Sequence, residues 1–208
     1  MRRWTAFLII FFVGCAHRIT VNPNVQPSAL VSRKLPYKVA VVFDPNMKNY
    51  VEHATPSTFE GSAHTYDFVV GPSLSAALLR SVEIAYENVF VADALTSVGK
   101  CDRVIKFVLQ NSSMNIYFQS GFLSPTAHCN YTLSVGVEAY DANNHLLLRK
   151  ATVSGRGFIT KAANAFSADK YFAKTVEEAI QQVSNNVANL LISGFAEPRD
   201  KDNGKEEK

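Results

Sequence analysis

Residues 128 to 141 alternate with a period of two along nearly their whole length. Cys129, Tyr131, Leu133, Val135, Val137 and Ala139 hold one parity; His128, Asn130, Thr132, Ser134, Gly136 and Glu138 hold the other. Successive side chains of a strand point to opposite faces, so this stretch fits a strand with one buried face and one wet face, and fits no helix. That is the pattern of an antiparallel sheet covered on one side. Asp141-Ala-Asn-Asn144 reads as a turn and Leu146 to Phe158 as the returning strand. Upstream, Ile105, Phe107 and Leu109 alternate from Arg103 onward. Met114, Ile116 and Phe118 continue the run past a bulge at Asn111-Ser-Ser113. Two hairpins therefore predict a three-stranded meander.

Downstream the period changes. From about Ala168 to Ser193, the residues Phe172, Val176, Ala179, Ile180, Val183, Val187, Leu190 and Leu191 form one apolar stripe, which predicts a long helix. Ser167 is placed to cap its start and Gly194 to stop its end. An earlier helix opens at Gly71-Pro72-Ser73 and sets Leu74, Leu78, Val82 and Ala85 on one face. Tyr37 to Phe43, Thr65 to Val70 and Val89 to Ala92 read as strands, and the polar stretch from Asn46 to His64 as a long loop with a role of its own. The expected fold is α+β: a mostly antiparallel sheet with two principal helices packed on one side, in a single domain over residues 37–195.

The N-terminus sets the compartment. Met1-Arg-Arg-Trp-Thr5 is a short basic start, Ala6 to Val13 is an apolar run, and Gly14-Cys15 follows. The run is too short for a membrane span, which needs about 20 residues. A charged start, an apolar core and a small residue before cysteine resemble a bacterial lipoprotein signal. Residues 1–14 are then a signal peptide, and Cys15 is the lipidated N-terminus of the mature chain. Each buried acyl methylene contributes roughly 0.8 kcal/mol, so several chains anchor stably. Ala16 rather than aspartate follows the cysteine, which in such lipoproteins implies the outer membrane. The expected location is its periplasmic face.

Residues 15–36 read as the lipidated cysteine and a flexible tether, with Pro23, Pro27 and several Ser and Asn residues and no helical period. Glu197 to Lys208 is nearly all charged or polar, so residues 196–208 read as a disordered tail. Of 21 basic residues, Arg2 and Arg3 leave with the signal, so 19 face 18 acidic ones. Near-neutral charge gives no footprint for nucleic acid.

Cys101 and Cys129 remain. In an oxidising compartment they form either a disulfide or two separate core thiols, and the sequence leaves both open. Neither stands in a metal-ligand spacing. There is no Gly-rich phosphate loop, no HExxH and no GxSxG. The histidines at 17, 53, 64, 128 and 145 read as solvated surface groups. Glu52, His53, Glu60 and His64 share the polar stretch at generic spacing. Gly155-Arg-Gly157 reads as a bulge or a close backbone approach rather than an anion nest. No catalytic set, cofactor or metal is expected. The candidate partner contacts are His53 and Phe59 in the 46–64 stretch, and Tyr117, Phe118, Phe122 and Leu123 at an unusually apolar hairpin end.

Cys15, the run Val39-Ala-Val-Val-Phe43 … Leu74-Ser-Ala-Ala-Leu-Leu79 … Phe90-Val-Ala92, and the meander ending in Val153-Ser-Gly-Arg-Gly157 before a long helix together resemble the YajG-type lipoproteins. More loosely the order is similar to the penicillin-binding-protein activator and lipopolysaccharide-assembly lipoproteins. The resemblance implies a fold and a cellular setting, and it brings no catalytic residues. The expectation is a non-enzymatic envelope lipoprotein that docks onto a partner protein in the periplasm in an accessory or assembly role. The alternative is a lipid- or glycan-binding module.

Overall fold

The computed structural model describes residues 15–22, 33–121, 125–143 and 145–196. The expected signal segment, most of the charged tail, and Phe122 and Leu123 lie outside the described residues.

The elements, in chain order, are β1 (Cys15–Thr20), β2 (Leu35–Phe43), α1 (Pro45–Lys48), β3 (Val51–Ala54), β4 (His64–Val69), α2 (Gly71–Ala85), β5 (Tyr86–Ala92), β6 (Arg103–Gln119), β7 (Thr126–Asp141), β8 (Leu147–Ala162) and α3 (Asp169–Ile192). A five-stranded sheet has the order β5-β2-β6-β7-β8, and a second sheet has the order β1-β4-β3. β2 runs parallel to β5 and β6, whereas β6, β7 and β8 form the expected antiparallel meander. The fold is α+β and mostly antiparallel, with helices packed on the sheets.

Burial follows the sequence period where one face is wet. The odd residues of β7 from Ala127 to Ala139 are buried, and the even ones from His128 to Ser134 are half-buried. β2 behaves otherwise: Val39 to Phe43 are all buried, because a central strand flanked by parallel partners is covered on both faces. Val39, Val41 and Phe43 join the main core under the helices, while Ala40 and Val42 join a smaller cluster with Ala92, Val98 and Val104. The bulge in β6 falls between Leu109 and Asn111, just ahead of the expected place. There the Gln110 side chain covers Gly136.

α3 crosses β8 very closely. A Cβ at Gly155 would collide with the Ala179 carbonyl, and one at Gly157 with the Thr175 carbonyl. The Gly-Arg-Gly sequence is therefore a close backbone approach, with both glycines under the helix and Arg156 facing outward. α2 and α3 meet through small polar residues. The Ser81 and Ser184 hydroxyls lie 2.7 Å apart, fully buried, and each reaches the Ala77 carbonyl.

Three expectations change. The chain directly after Cys15 is strand rather than tether: β1 pairs in parallel with β4 along six residues, and Ile19 and Val21 are buried. Two apolar side chains at alternate positions suffice to dock it. Residues 23–32 of the expected tether lie outside the described residues. The 46–64 stretch is also more than a loop, since α1 and β3 form within it and β3 pairs antiparallel with β4, so it completes the second sheet. Finally, Ala168 and not Ser167 occupies the cap of α3, because the Ser167 hydroxyl is engaged with Asn164 in the preceding turn. Gly194 takes a φ of 80°, as a helix stop requires.

Candidate functional site at the Cys15 end

Cys15 is exposed at the first position of β1, and its backbone N–H donates to the Ala63 carbonyl at 3.0 Å. The strand is fastened along its length. Asn22 N–H donates to Glu177 of α3 at 3.2 Å, and the Ser73 hydroxyl at the start of α2 donates to the Val21 carbonyl. Ile19 drops into the core between these contacts.

The centre of the fastening is a chain of three ionisable side chains. His17 Nδ1 lies 3.0 Å from Asp169 Oδ2, and His17 Nε2 lies 2.8 Å from His64 Nδ1. Asp169 as a carboxylate only accepts, so His17 donates from Nδ1. The Nε2 of a neutral His17 then accepts from His64 Nδ1. The His17 ring stacks on Tyr66 at 4.7 Å, and the Tyr66 hydroxyl donates to the Ala165 carbonyl at 2.9 Å. Burial first, and then the Asp169 charge, push the Tyr66 phenol well above its usual range, so it stays a neutral donor. The three side chains tie the start of α3 to β1 and to the second sheet.

Neither of these histidines is the solvated surface group expected: His64 is buried and the His17 side chain is largely so. Residues 17, 64 and 169 share no period, so no local pattern unites them. The one signal was the alternation of His64, Tyr66 and Phe68, which puts that histidine on the inward face of β4.

His53 is exposed and its Nδ1 lies 2.7 Å from Asp67 Oδ1. Strand alternation turns its neighbour Glu52 the other way, into a buried cluster. There the Tyr50 hydroxyl donates to Glu52 at 2.8 Å, and the Ser112 hydroxyl, itself 2.8 Å from Tyr131, donates to the same carboxylate. Glu52, His53 and His64 thus point to three different places, and the side chain of Glu60 lies outside the description. Among the described residues no group of three or more His, Cys, Asp or Glu is arranged to hold a metal.

Phe59 is 95% exposed. Its turn is pinned to the end of β6: Ser57 N–H donates to the Ile116 carbonyl at 2.9 Å, and Phe118 N–H to Thr58 Oγ1 at 3.0 Å. Tyr117 faces outward and stacks on His128 at 4.3 Å. Phe118 corrects the expectation. It is buried against Phe172 and under Gly61, on the inward parity of β6, so it is core and not a contact surface.

Cys101 and Cys129 are both free thiols. Cys101 lies just ahead of Arg103, which pairs with Asp141 at the far end of β7, twelve residues from Cys129. At about 3.3 Å per residue that is about 40 Å, far beyond disulfide reach. Burial pushes the Cys129 thiol up to about 12.

No family model matches the sequence, and no curated protein matches it. Among solved structures, a Xanthomonas campestris protein of the DUF330 family superposes with a TM-score of 0.56 at 12% identity, covering 85% of this chain and 96% of that one. At that identity the likeness shows a shared fold. The chain is also similar to a minor lipoprotein of Acinetobacter baumannii (TM-score 0.42, 7% identity, 78% and 96% covered) and to lipoprotein B of Nitrosomonas europaea (TM-score 0.38, 14% identity, 80% and 94% covered).

Proposed function

We propose that this chain is a non-enzymatic envelope lipoprotein, anchored through Cys15 at the periplasmic face of the outer membrane, whose domain docks onto a partner protein. The observation that carries this reading is the placement of Cys15. Its thiol is exposed at the first residue of a strand sewn into the fold, so acylation there disturbs no packing and holds the domain at a defined end. The resemblance of the sequence to YajG-type lipoproteins supports the same setting.

The docking surface is the uncovered face of the β6–β7–β8 meander. Tyr117 on His128 and the 58% exposed Phe158 provide aromatic anchors. Asn130 lies opposite Phe158, and its Oδ1 accepts from Arg156 Nε at 2.8 Å. Aromatic anchors within a field of amides and hydroxyls have the composition of a docking surface for protein. In-cell crosslinking from photoreactive residues at Tyr117 and Phe158 tests it. One dominant partner, lost when Cys15→Ser releases the domain from the membrane, supports the reading. Equal labelling of many proteins from both positions contradicts it.

A second reading, glycan binding, draws on the same corner: an exposed ring at Phe158 beside Asn130 and Arg156 suits a sugar face and its hydroxyls. Saturable binding of soluble cell-wall glycan fragments, lost in Phe158→Ala, would favour it over protein docking.

A further inference from the structure

We infer that the end of the molecule carrying Cys15 lies directly against a phospholipid bilayer, with the rings of Phe59 and Phe166 entering the boundary between headgroups and acyl chains. The inference rests on the acylation of Cys15 proposed above and deepens it. A tether of some twenty residues would let the domain stand about 25 Å away on average. That slack does not exist after Cys15. Its own N–H is bonded to Ala63, the six residues of β1 are paired with β4, and Ile19 and Val21 are buried. Acyl chains on Cys15 therefore bring this end of the second sheet to the membrane surface.

The same end carries the two most exposed large apolar side chains among the described residues, Phe59 at 95% and Phe166 at 73%. Phe59 lies four residues before Ala63, the acceptor of the Cys15 N–H. Phe166 sets its ring edge-on at 4.9 Å to His64, the residue that pairs with Cys15. Both are held by short turns. Ser62 N–H and its hydroxyl bond the Phe59 carbonyl, and Phe166 N–H donates to Asn164 Oδ1 at 3.1 Å. An ordered aromatic ring facing water is unfavourable, and the same ring at a membrane interface is stabilised. Two such rings flanking one lipid attachment point give the surface its occupant: phospholipid.

The test uses tryptophan fluorescence. The sequence has a single tryptophan, Trp4, within the segment removed ahead of Cys15, so the mature chain has none. Acylated full-length protein carrying Phe59→Trp, Phe166→Trp or Leu147→Trp is reconstituted into phosphatidylethanolamine–phosphatidylglycerol vesicles with or without brominated phosphatidylcholine. Leu147 is the control, 46% exposed at the other end of β8. That end is about 50 Å away at about 3.3 Å per residue. Intact mass first establishes the acyl group. Emission from the two phenylalanine-position variants is expected to shift to shorter wavelength and to lose most of its intensity to bromine, while the Leu147→Trp protein does neither. Acylated protein whose probes at 59 and 166 behave like the control overturns the inference and leaves the anchor standing. Concentration-dependent dimerisation that shields both probes without bromine quenching assigns the patch to a second copy and overturns it too. A mass without acyl groups overturns the anchor reading and this inference together.

Discussion

His17 Nε2 lies 2.8 Å from His64 Nδ1, and this contact joins the first strand of the chain to the middle strand of its small sheet. The other nitrogen of His17 reaches Asp169 at the start of α3. Replacing His17 by alanine removes both bonds and the stack on Tyr66; it leaves the buried His64 ring without its partner, while Asp169, 44% exposed, turns to water. The expected cost is about 1–3 kcal/mol. It should appear locally, as faster hydrogen exchange of the β1 amides with the β7 amides unchanged. Equal protection of β1 in both proteins would show that Ile19 and the strand pairing hold it alone.

Gly157→Ala tests the close crossing of α3 over β8. The added methyl meets the Thr175 carbonyl, a backbone atom that cannot swing away. Helix and strand must part, at an expected cost of about 1–3 kcal/mol in denaturant unfolding. Thr152→Ala, on the outward parity of the same strand, loses only a hydroxyl contact to Gln110 and should change stability by less than about 1 kcal/mol.

Glu138 sits between Lys106 on β6 and Lys150 on β8, directly opposite both in register. The Lys150 ammonium at 2.8 Å, helped by the Tyr140 hydroxyl at 2.8 Å, holds its carboxyl below the usual glutamate range against the opposing effect of burial. A carboxylate whose folded value is depressed stabilises the protein above its unfolded value, and that contribution is lost as pH falls through the folded one. Glu138→Gln should therefore be less stable than the parent at pH 7, by about 1 kcal/mol given the exposure of Lys150. The difference should vanish in acid below the carboxylate range. A difference independent of pH would assign the effect to packing.

Thiol labelling distinguishes the two remaining cysteines. Cys129 is fully buried and its thiol is pushed up to about 12, whereas Cys101 is half-buried. A maleimide at neutral pH should modify Cys101 in the native protein and Cys129 only in denaturant. Both thiols should titrate after denaturation without reductant. A missing pair of thiols would mean a bridge that this fold does not allow.

The sequence made the meander and both principal helices legible because each repeats its period over many residues. Twelve alternating positions in β7 and eight apolar positions in α3 leave little choice of fold. Gly155 and Gly157 were legible for a related reason, since glycines two apart on a strand face one neighbour. β1 was hidden: in Cys-Ala-His-Arg-Ile-Thr only Ile19 is a large apolar residue, and its partner strand begins 49 residues later. β3 was hidden likewise by its four-residue length. The Asp169–His17–His64 chain had no local signature because three separate elements contribute to it. Phe118 was misplaced because a cluster of apolar residues at a hairpin end does not say which parity faces in. Its position opposite Ala127, on the buried side of β7, decides that.

The most direct test of the account is the intact mass and membrane partition of the mature protein from its own envelope, beside a Cys15→Ser control. A lipid anchor on Cys15 requires a chain beginning at Cys15 with added acyl mass, found in the membrane fraction, and an unacylated control released from the membrane. A parent chain that is soluble and carries no acyl mass at Cys15 would contradict it.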